Sequence, residues 1–183
     1  LYLQEWDGQT GLWTTISPSP ITSSASSAYR PYDIAYEQNT GRCLVAYYNN
    51  LAGYVSYRVW SSTLSAWVTN ETSLDCGDLT AAIFWVRLEP RPGTNQIMLA
   101  VLDDNNDLYA GVWDGTQFIN TSTRTVTTSV DTDLKQCFDI AWENTNGRGM
   151  IVWGAGTAAP GTRYDLYSST LNAWVTVAGG VNG

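Results

Sequence analysis

Three kinds of side chain in this sequence have types and spacings that could do chemistry. The first is a repeated pair of carboxylates, Asp33 with Glu37 and Asp139 with Glu143. Paired carboxylates are the acid and base, or the acid and nucleophile, of glycosidases. Their recurrence in equivalent segments suits a structural role instead, pairing with Arg42 and Arg148 across a hairpin. The second is Asp103-Asp104-Asn105-Asn106-Asp107. Asp103, Asn105 and Asp107 place oxygens on alternate residues, as at the start of a calcium loop. Leu108 stands where such a loop needs Gly, and no acidic residue closes it, so a polar hairpin competes with the metal reading. The third is the triplet Trp6-Asp7-Gly8, which returns as Trp113-Asp114-Gly115. Aromatic rings stack on the apolar face of a pyranose while a carboxylate fixes its hydroxyls. Trp6, Asp7, Trp13, Trp113 and Asp114 are therefore candidate sugar-binding residues. The competing reading is that Asp-Gly makes the hairpin turn and the Trp rings pack between sheets.

Composition removes other chemistries. The chain has 183 residues, 9 Trp, 11 Tyr, 3 Cys and no His. Without His there is no Ser-His-Asp triad, no Cys-His dyad and no His-ligated zinc or haem. No cofactor is expected. A net charge of −8 argues against nucleic-acid partners, which need clustered Lys and Arg. No apolar run approaches the ~18 residues of a membrane span, so no membrane insertion is expected. Charged residues are only 14% and hydroxyl residues are abundant, which reads as extracellular or cell-surface. The sequons at Asn70 and Asn120 are glycosylation candidates compatible with that location. The chain starts at Leu1 and reads either as a processed mature protein or as a piece of a longer one. Cys43 sits in an apolar run and reads as a buried thiol, while Cys76 and Cys137, near the ends of polar connections, are a candidate disulfide.

The elements that position these residues follow from an internal repeat. Trp6, Trp60, Trp113 and Tyr167 recur at intervals of 54, 53 and 54. Asp33-Ile34-Ala35-Tyr36-Glu37 returns as Asp139-Ile140-Ala141-Trp142-Glu143, and Gly41-Arg42 as Gly147-Arg148. The segment from Ser61 to Trp67 returns from Ser168 to Trp174. A fixed period of this size marks a solenoid, propeller or array. Each unit reads as four short strands, a to d. In the second unit these are Asp33–Glu37, Arg42–Tyr48, Tyr54–Trp60 and a strand beginning near Ala66. Strand b is almost wholly apolar (Cys43–Tyr48, Ile97–Leu102, Met150–Trp153), which predicts burial on both faces. Strand c alternates. No stretch holds a helical period over ten residues, so essentially no helix is expected. The fold class expected is all-β: a β-propeller-like array of four-stranded antiparallel meanders, about 3.5 repeats of ~54 residues. A duplicated β-sandwich is the alternative.

Two resemblances rest on these residues. The Trp-Asp-Gly hairpin, best seen from Trp6 to Trp13, resembles the c–d hairpin of the fucose-binding propeller lectins of bacteria and fungi. That implies sugar binding, although their Arg-Glu-Trp set is not evident here: Arg58 has Gly111 and Asp165 at its equivalents. The repeat as a whole resembles large extracellular bacterial proteins with tandem Asp-Ile-Ala-Tyr-Glu repeats. That resemblance implies architecture and location, and no activity. The turns depart from the sialidase Asp-box, since Gly8 directly follows Asp7.

The register predicts a single repeat domain over 1–183. It comprises a half repeat over 1–29 (strands c and d) and repeats over 30–79, 80–133 and 134–183. An array that begins with half a unit exposes apolar faces and sheet edges. The expected function is a non-enzymatic extracellular structural or adhesive module. It would self-assemble as a homo-oligomer or filament, or form part of a longer chain. A carbohydrate-binding lectin, with glycans as partners, is the alternative.

Overall fold

The computed structural model describes residues 1–17, 19–23, 28–131, 135–156 and 161–175. Short runs of β-branched and aromatic residues form antiparallel meanders, closed by tight turns. The a–b turns place Gly41 and Gly147 at φ 67° and 69°, a left-handed conformation that glycine adopts without penalty. The c–d turns place the equivalent Ser65 and Asn172 at φ 47° and 48°.

The chain begins with a hairpin, β1 (Gln4–Asp7) and β2 (Leu12–Thr15). The second sheet orders β3 (Tyr32–Tyr36), β4 (Cys43–Tyr47), β5 (Tyr54–Ser61) and β6 (Ala66–Trp67), and β7 (Thr72–Asp75) also pairs with β5. The third sheet orders β8 (Ile83–Pro90), β9 (Ile97–Asp103), β10 (Leu108–Trp113) and β11 (Arg124–Thr127). The fourth orders β12 (Phe138–Trp142), β13 (Arg148–Ala155), β14 (Gly161–Ser168) and β15 (Ala173–Val175). The fold is an all-β array of blade-like, four-stranded antiparallel meanders. The innermost strands β3, β8 and β12 lie next to one another, and Arg30 makes a parallel bridge to Trp85 on β8.

Three apolar clusters hold the array together, one at each junction. Leu1, Leu3 and Ile16 of the hairpin region pack on Cys43, Val45, Tyr47 and Trp60 of the second sheet. Ala35, Leu44 and Val59 on the opposite face of that sheet meet Leu99, Val101 and Trp113 of the third. Met98, Ala100 and Val112 on the far face of the third sheet meet Ile140, Ile151 and Trp153 of the fourth. Every residue of β4 and β9 is buried, as their apolar runs predict for strands covered on both sides. Strand β13 departs from that expectation. Its inward residues are buried but Met150 is 40% exposed, because no sheet among the described residues covers its outer face.

The outermost strand also differs from the continuous strand d read from the sequence. In the second sheet Trp60 pairs with Trp67, the chain steps away, and β7 rejoins the ladder at Tyr57. In the third sheet Trp113 bridges Phe118, a 3₁₀ turn spans Asn120–Ser122, and β11 then rejoins at Ala110. The cause is the same in both. A hydroxyl takes the ladder N–H at the break: Val59 donates to Thr69 Oγ1 at 2.8 Å, and Val112 donates to Ser122 Oγ at 2.9 Å. A side-chain acceptor that replaces a backbone carbonyl lets the strand detour without leaving a buried N–H unpaired.

Candidate functional site

The repeated aromatics form one cross-strand pair at each c–d tip. Ring centroids are 5.4 Å apart for Trp6 and Trp13, 5.4 Å for Trp60 and Trp67, 5.6 Å for Trp113 and Phe118, and 5.5 Å for Tyr167 and Trp174. Such pairs add roughly 0.5–1.5 kcal/mol beyond their burial. Their surroundings differ sharply. Trp113 is 1% exposed, whereas Trp6 and Trp13 are 51% and 63% exposed.

Of the third-sheet copy, the Trp113 ring is buried while Asp114 is exposed. Trp113 lies wholly inside the junction between the second and third sheets, so its face is closed to a ligand. Its Nε1 donates to Glu37 Oε1 at 2.8 Å. Asp114 Oδ1 accepts the turn N–H groups of Thr116 and Gln117 at 2.6 and 2.9 Å. Asp7 serves its own turn in the same way, accepting from Gln9 N at 2.8 Å and from the Thr10 hydroxyl at 2.7 Å. The Thr10 bond, with the Gln9 N–H, holds the Asp7 carboxyl below its ordinary range.

Trp6 and Trp13 stay at the surface. Trp6 borders an open groove of about 990 Å³ with Glu5, Tyr36, Trp60 and Trp67. Glu5 Oε2 accepts from Trp60 Nε1 at 3.3 Å, and its other oxygen accepts from the Ser62 hydroxyl. The Arg58 guanidinium sits 4.2 Å from the centroid of the Trp67 ring. The groove thus combines aromatic walls with two carboxylates, Glu5 and Asp7.

The paired acids are used in structure. Glu37 is fully buried, and Arg42 binds both its oxygens, Nε at 2.9 Å and Nη2 at 3.2 Å. The same guanidinium donates to the Gly115 carbonyl of the third sheet. Asp33 Oδ2 accepts from Leu88 N at 2.9 Å, which ties β3 to β8, and its Oδ1 accepts from Ile34 N and pairs with Arg30. The predicted Glu37–Arg42 pair is present. At the second copy Glu143 accepts from the Arg148 backbone N–H at 3.3 Å rather than from its guanidinium. Arg87 Nε reaches Asp139 at 3.3 Å.

Asp103, Asn105 and Asp107 stand in a tight hairpin turn. Asp103 Oδ1 accepts the N–H groups of Asn105 and Asp107 at 2.9 and 3.0 Å, and Oδ2 accepts from Ala81 N at 3.2 Å. These bonds make a β9–β10 turn with Asn106 at φ 65°. Among the described residues no three His, Cys, Asp or Glu side chains are grouped to hold a metal ion.

The candidate disulfide is corrected. Cys76 and Cys137 are free thiols, as is Cys43. Cys76 belongs to the cluster between the second and third sheets, and Cys137 packs against the cluster between the third and fourth. A whole sheet separates the two junctions. Of the sequons, Asn70 and Thr72 are exposed. Asn120 is exposed too, but its partner Ser122 is fully buried, with its hydroxyl donating to Ile119 O at 2.7 Å.

No family model matches the chain, and no curated protein matches it. Among solved structures the chain is similar to the catalytic domain of a GH62 alpha-L-arabinofuranosidase from Coprinopsis cinerea. Identity is 12%, the TM-score is 0.41, and the match covers 92% of this chain and 55% of that one. The chain thus spans about half the length of that structure.

The Glu37–Trp113 bond and the Glu5–Trp60 bond were not read from the sequence. One signal pointed to the first. Glu with Gly-Arg behind it occurs in the second and fourth units, and Trp-Asp-Gly in the first and third. A motif that alternates between neighbouring units marks a contact between units.

Proposed function

We propose that this chain is a non-enzymatic structural or adhesive module that assembles with copies of itself outside the cell. The observation that carries this reading is a difference between equivalent faces. Ala35, Leu44 and Val59 of the second sheet are buried beneath the third. Their register equivalents in the fourth sheet are Ala141, Met150 and Leu166, and these border an open groove of about 370 Å³. An apolar sheet face left open favours association. The acid pairs support the non-enzymatic part, since Glu37 and Asp33 are committed to hydrogen bonds that join sheets. Light scattering across a concentration series tests the reading. A mass that rises above one chain is expected, and a single-chain mass at all concentrations overturns it.

The groove beside Trp6 favours carbohydrate binding as a second reading. Trp6 and Tyr36, 51% and 46% exposed, offer aromatic surface, and the carboxylates of Glu5 and Asp7 border the same groove. A glycan array with free-sugar competition tests it. Trp6→Ala should abolish any signal while the chain stays folded, because that ring is half exposed.

A further inference from the structure

The junction between the second and third sheets has two sides. One side is Glu37 and Arg42 above an apolar face formed by Ala35, Leu44 and Val59. The other side is Tyr109, Trp113-Asp114-Gly115 and Phe118. Trp113 donates to Glu37, Arg42 donates to the Gly115 carbonyl, and Tyr57 meets both Trp113 and Phe118 edge-on.

Each side occurs a second time with nothing against it among the described residues. The first returns on the outer face of the fourth sheet as Glu143 and Arg148 over Ala141, Met150 and Leu166, with Tyr164 at the register position of Tyr57. Leu44 is 0% exposed, while its equivalent Met150 is 40% exposed. The second returns on the hairpin as Tyr2, Trp6-Asp7-Gly8 and Trp13. Tyr109, Trp113 and Phe118 are all buried, whereas Tyr2, Trp6 and Trp13 are all more than half exposed.

We propose that the outer face of the fourth sheet receives the Trp6-Asp7-Gly8 hairpin of a second copy of this chain, head to tail. The Trp6 indole N–H donates to Glu143, Arg148 donates to the Gly8 carbonyl, and Trp6 and Trp13 cover Met150 and Tyr164. This inference rests on the self-assembly reading and names its interface. The occupant is another copy because the chain's own hairpin does not cover this face: Trp6 is 51% and Met150 40% exposed in the same chain. Leu1, Leu3 and Ile16 pack that hairpin onto the second sheet, and the third sheet lies between that sheet and the fourth. A contact of this kind is heterologous, so it builds rings or filaments rather than a two-fold dimer.

Two variants of the full chain test it by sedimentation velocity, with circular dichroism and Tm confirming that each is folded. Trp6→Ala removes the donor side, and Met150→Arg puts a charge on the receiving face. Trp13→Ala and Glu143→Lys serve as a second pair on the same two sides. The wild type is expected to form species of several chains. Each variant alone is expected to sediment as one chain, and an equimolar mixture of the two as a two-chain species and nothing larger. A wild type that stays single-chain overturns both the self-assembly reading and this inference. A wild type that assembles, with either variant assembling equally well alone, overturns only this interface. A mixture that stays single-chain while the wild type assembles overturns it as well.

Discussion

Trp113 Nε1 donates a 2.8 Å hydrogen bond to Oε1 of Glu37, 76 positions earlier in the chain. The bond crosses from one sheet to the next, and Arg42 holds the same carboxylate from the other side. A fully buried carboxylate survives only when its oxygens are paired, and here a guanidinium and an indole supply the partners. The junction therefore has one permitted register.

Removing one partner should cost more than removing both. Glu37→Ala leaves the Trp113 N–H without its acceptor and Arg42 without its counter-charge, and should destabilise by about 3–5 kcal/mol. Glu37→Ala and Trp113→Phe, singly and together, should give a coupling energy of about 1–3 kcal/mol in urea unfolding. Strict additivity would show that the bond contributes nothing specific.

Gly53 and Gly41 should respond differently to alanine. Both have positive φ, 77° and 67°. A Cβ at Gly41 meets nothing within 4 Å, but one at Gly53 would overlap the Leu79 carbonyl, a backbone atom that cannot swing aside. Gly41→Ala should cost about 1–2 kcal/mol, the left-handed penalty alone. Gly53→Ala should cost about 2–4 kcal/mol, because packing strain adds to it. Equal Tm losses would contradict this.

The three thiols should divide by reactivity. Burial pushes Cys43 and Cys76 up to about 12, so neither is a thiolate at pH 8. Cys137 is raised by burial too, but it is partly exposed. With a disulfide reagent at pH 8 the native protein should release one equivalent quickly, and the other two only on unfolding. Three fast equivalents, or none in denaturant, would contradict this assignment.

Asp107 should make stability depend on pH. Burial, then the Asp103 and Asp78 carboxylates, raises its pKa. The folded chain then binds this proton more readily than the unfolded chain. Ionisation of Asp107 penalises the fold fully above its folded pKa, and the penalty vanishes below its unfolded value of ~3.9. Asp107→Asn should raise Tm at pH 7, because the neutral amide escapes the burial and the neighbouring carboxylates that penalise the ionised acid. The advantage should shrink as pH falls through the carboxylate range. A constant gain at every pH would locate the effect elsewhere.

The sheets were legible in the sequence because pairing within a meander is local. Ile34 and Val45 lie opposite each other across one tight turn, and the left-handed Gly41 in that turn fixes the register. The Glu37–Arg42 pair was legible for the same reason. What lay between sheets was harder to read. Trp6 and Trp113 sit in the same triplet, yet one faces solvent and the other a neighbouring sheet. The triplet is identical at the two positions, and the presence of a covering sheet decides which ring is buried. The break in the outer strand was hidden as well. It depends on whether a hydroxyl such as Thr69 or Ser122 turns back to the ladder, and many other Ser and Thr in this chain do not.

That break has a consequence for how matter can add to this molecule. An unbroken outer strand would offer a long row of free amides and carbonyls, to which foreign strands could zip sideways. The detours at Thr69 and Ser122 chop that row into four-residue lengths at β7 and β11. Lateral fusion into cross-β aggregates along these two edges is thereby discouraged.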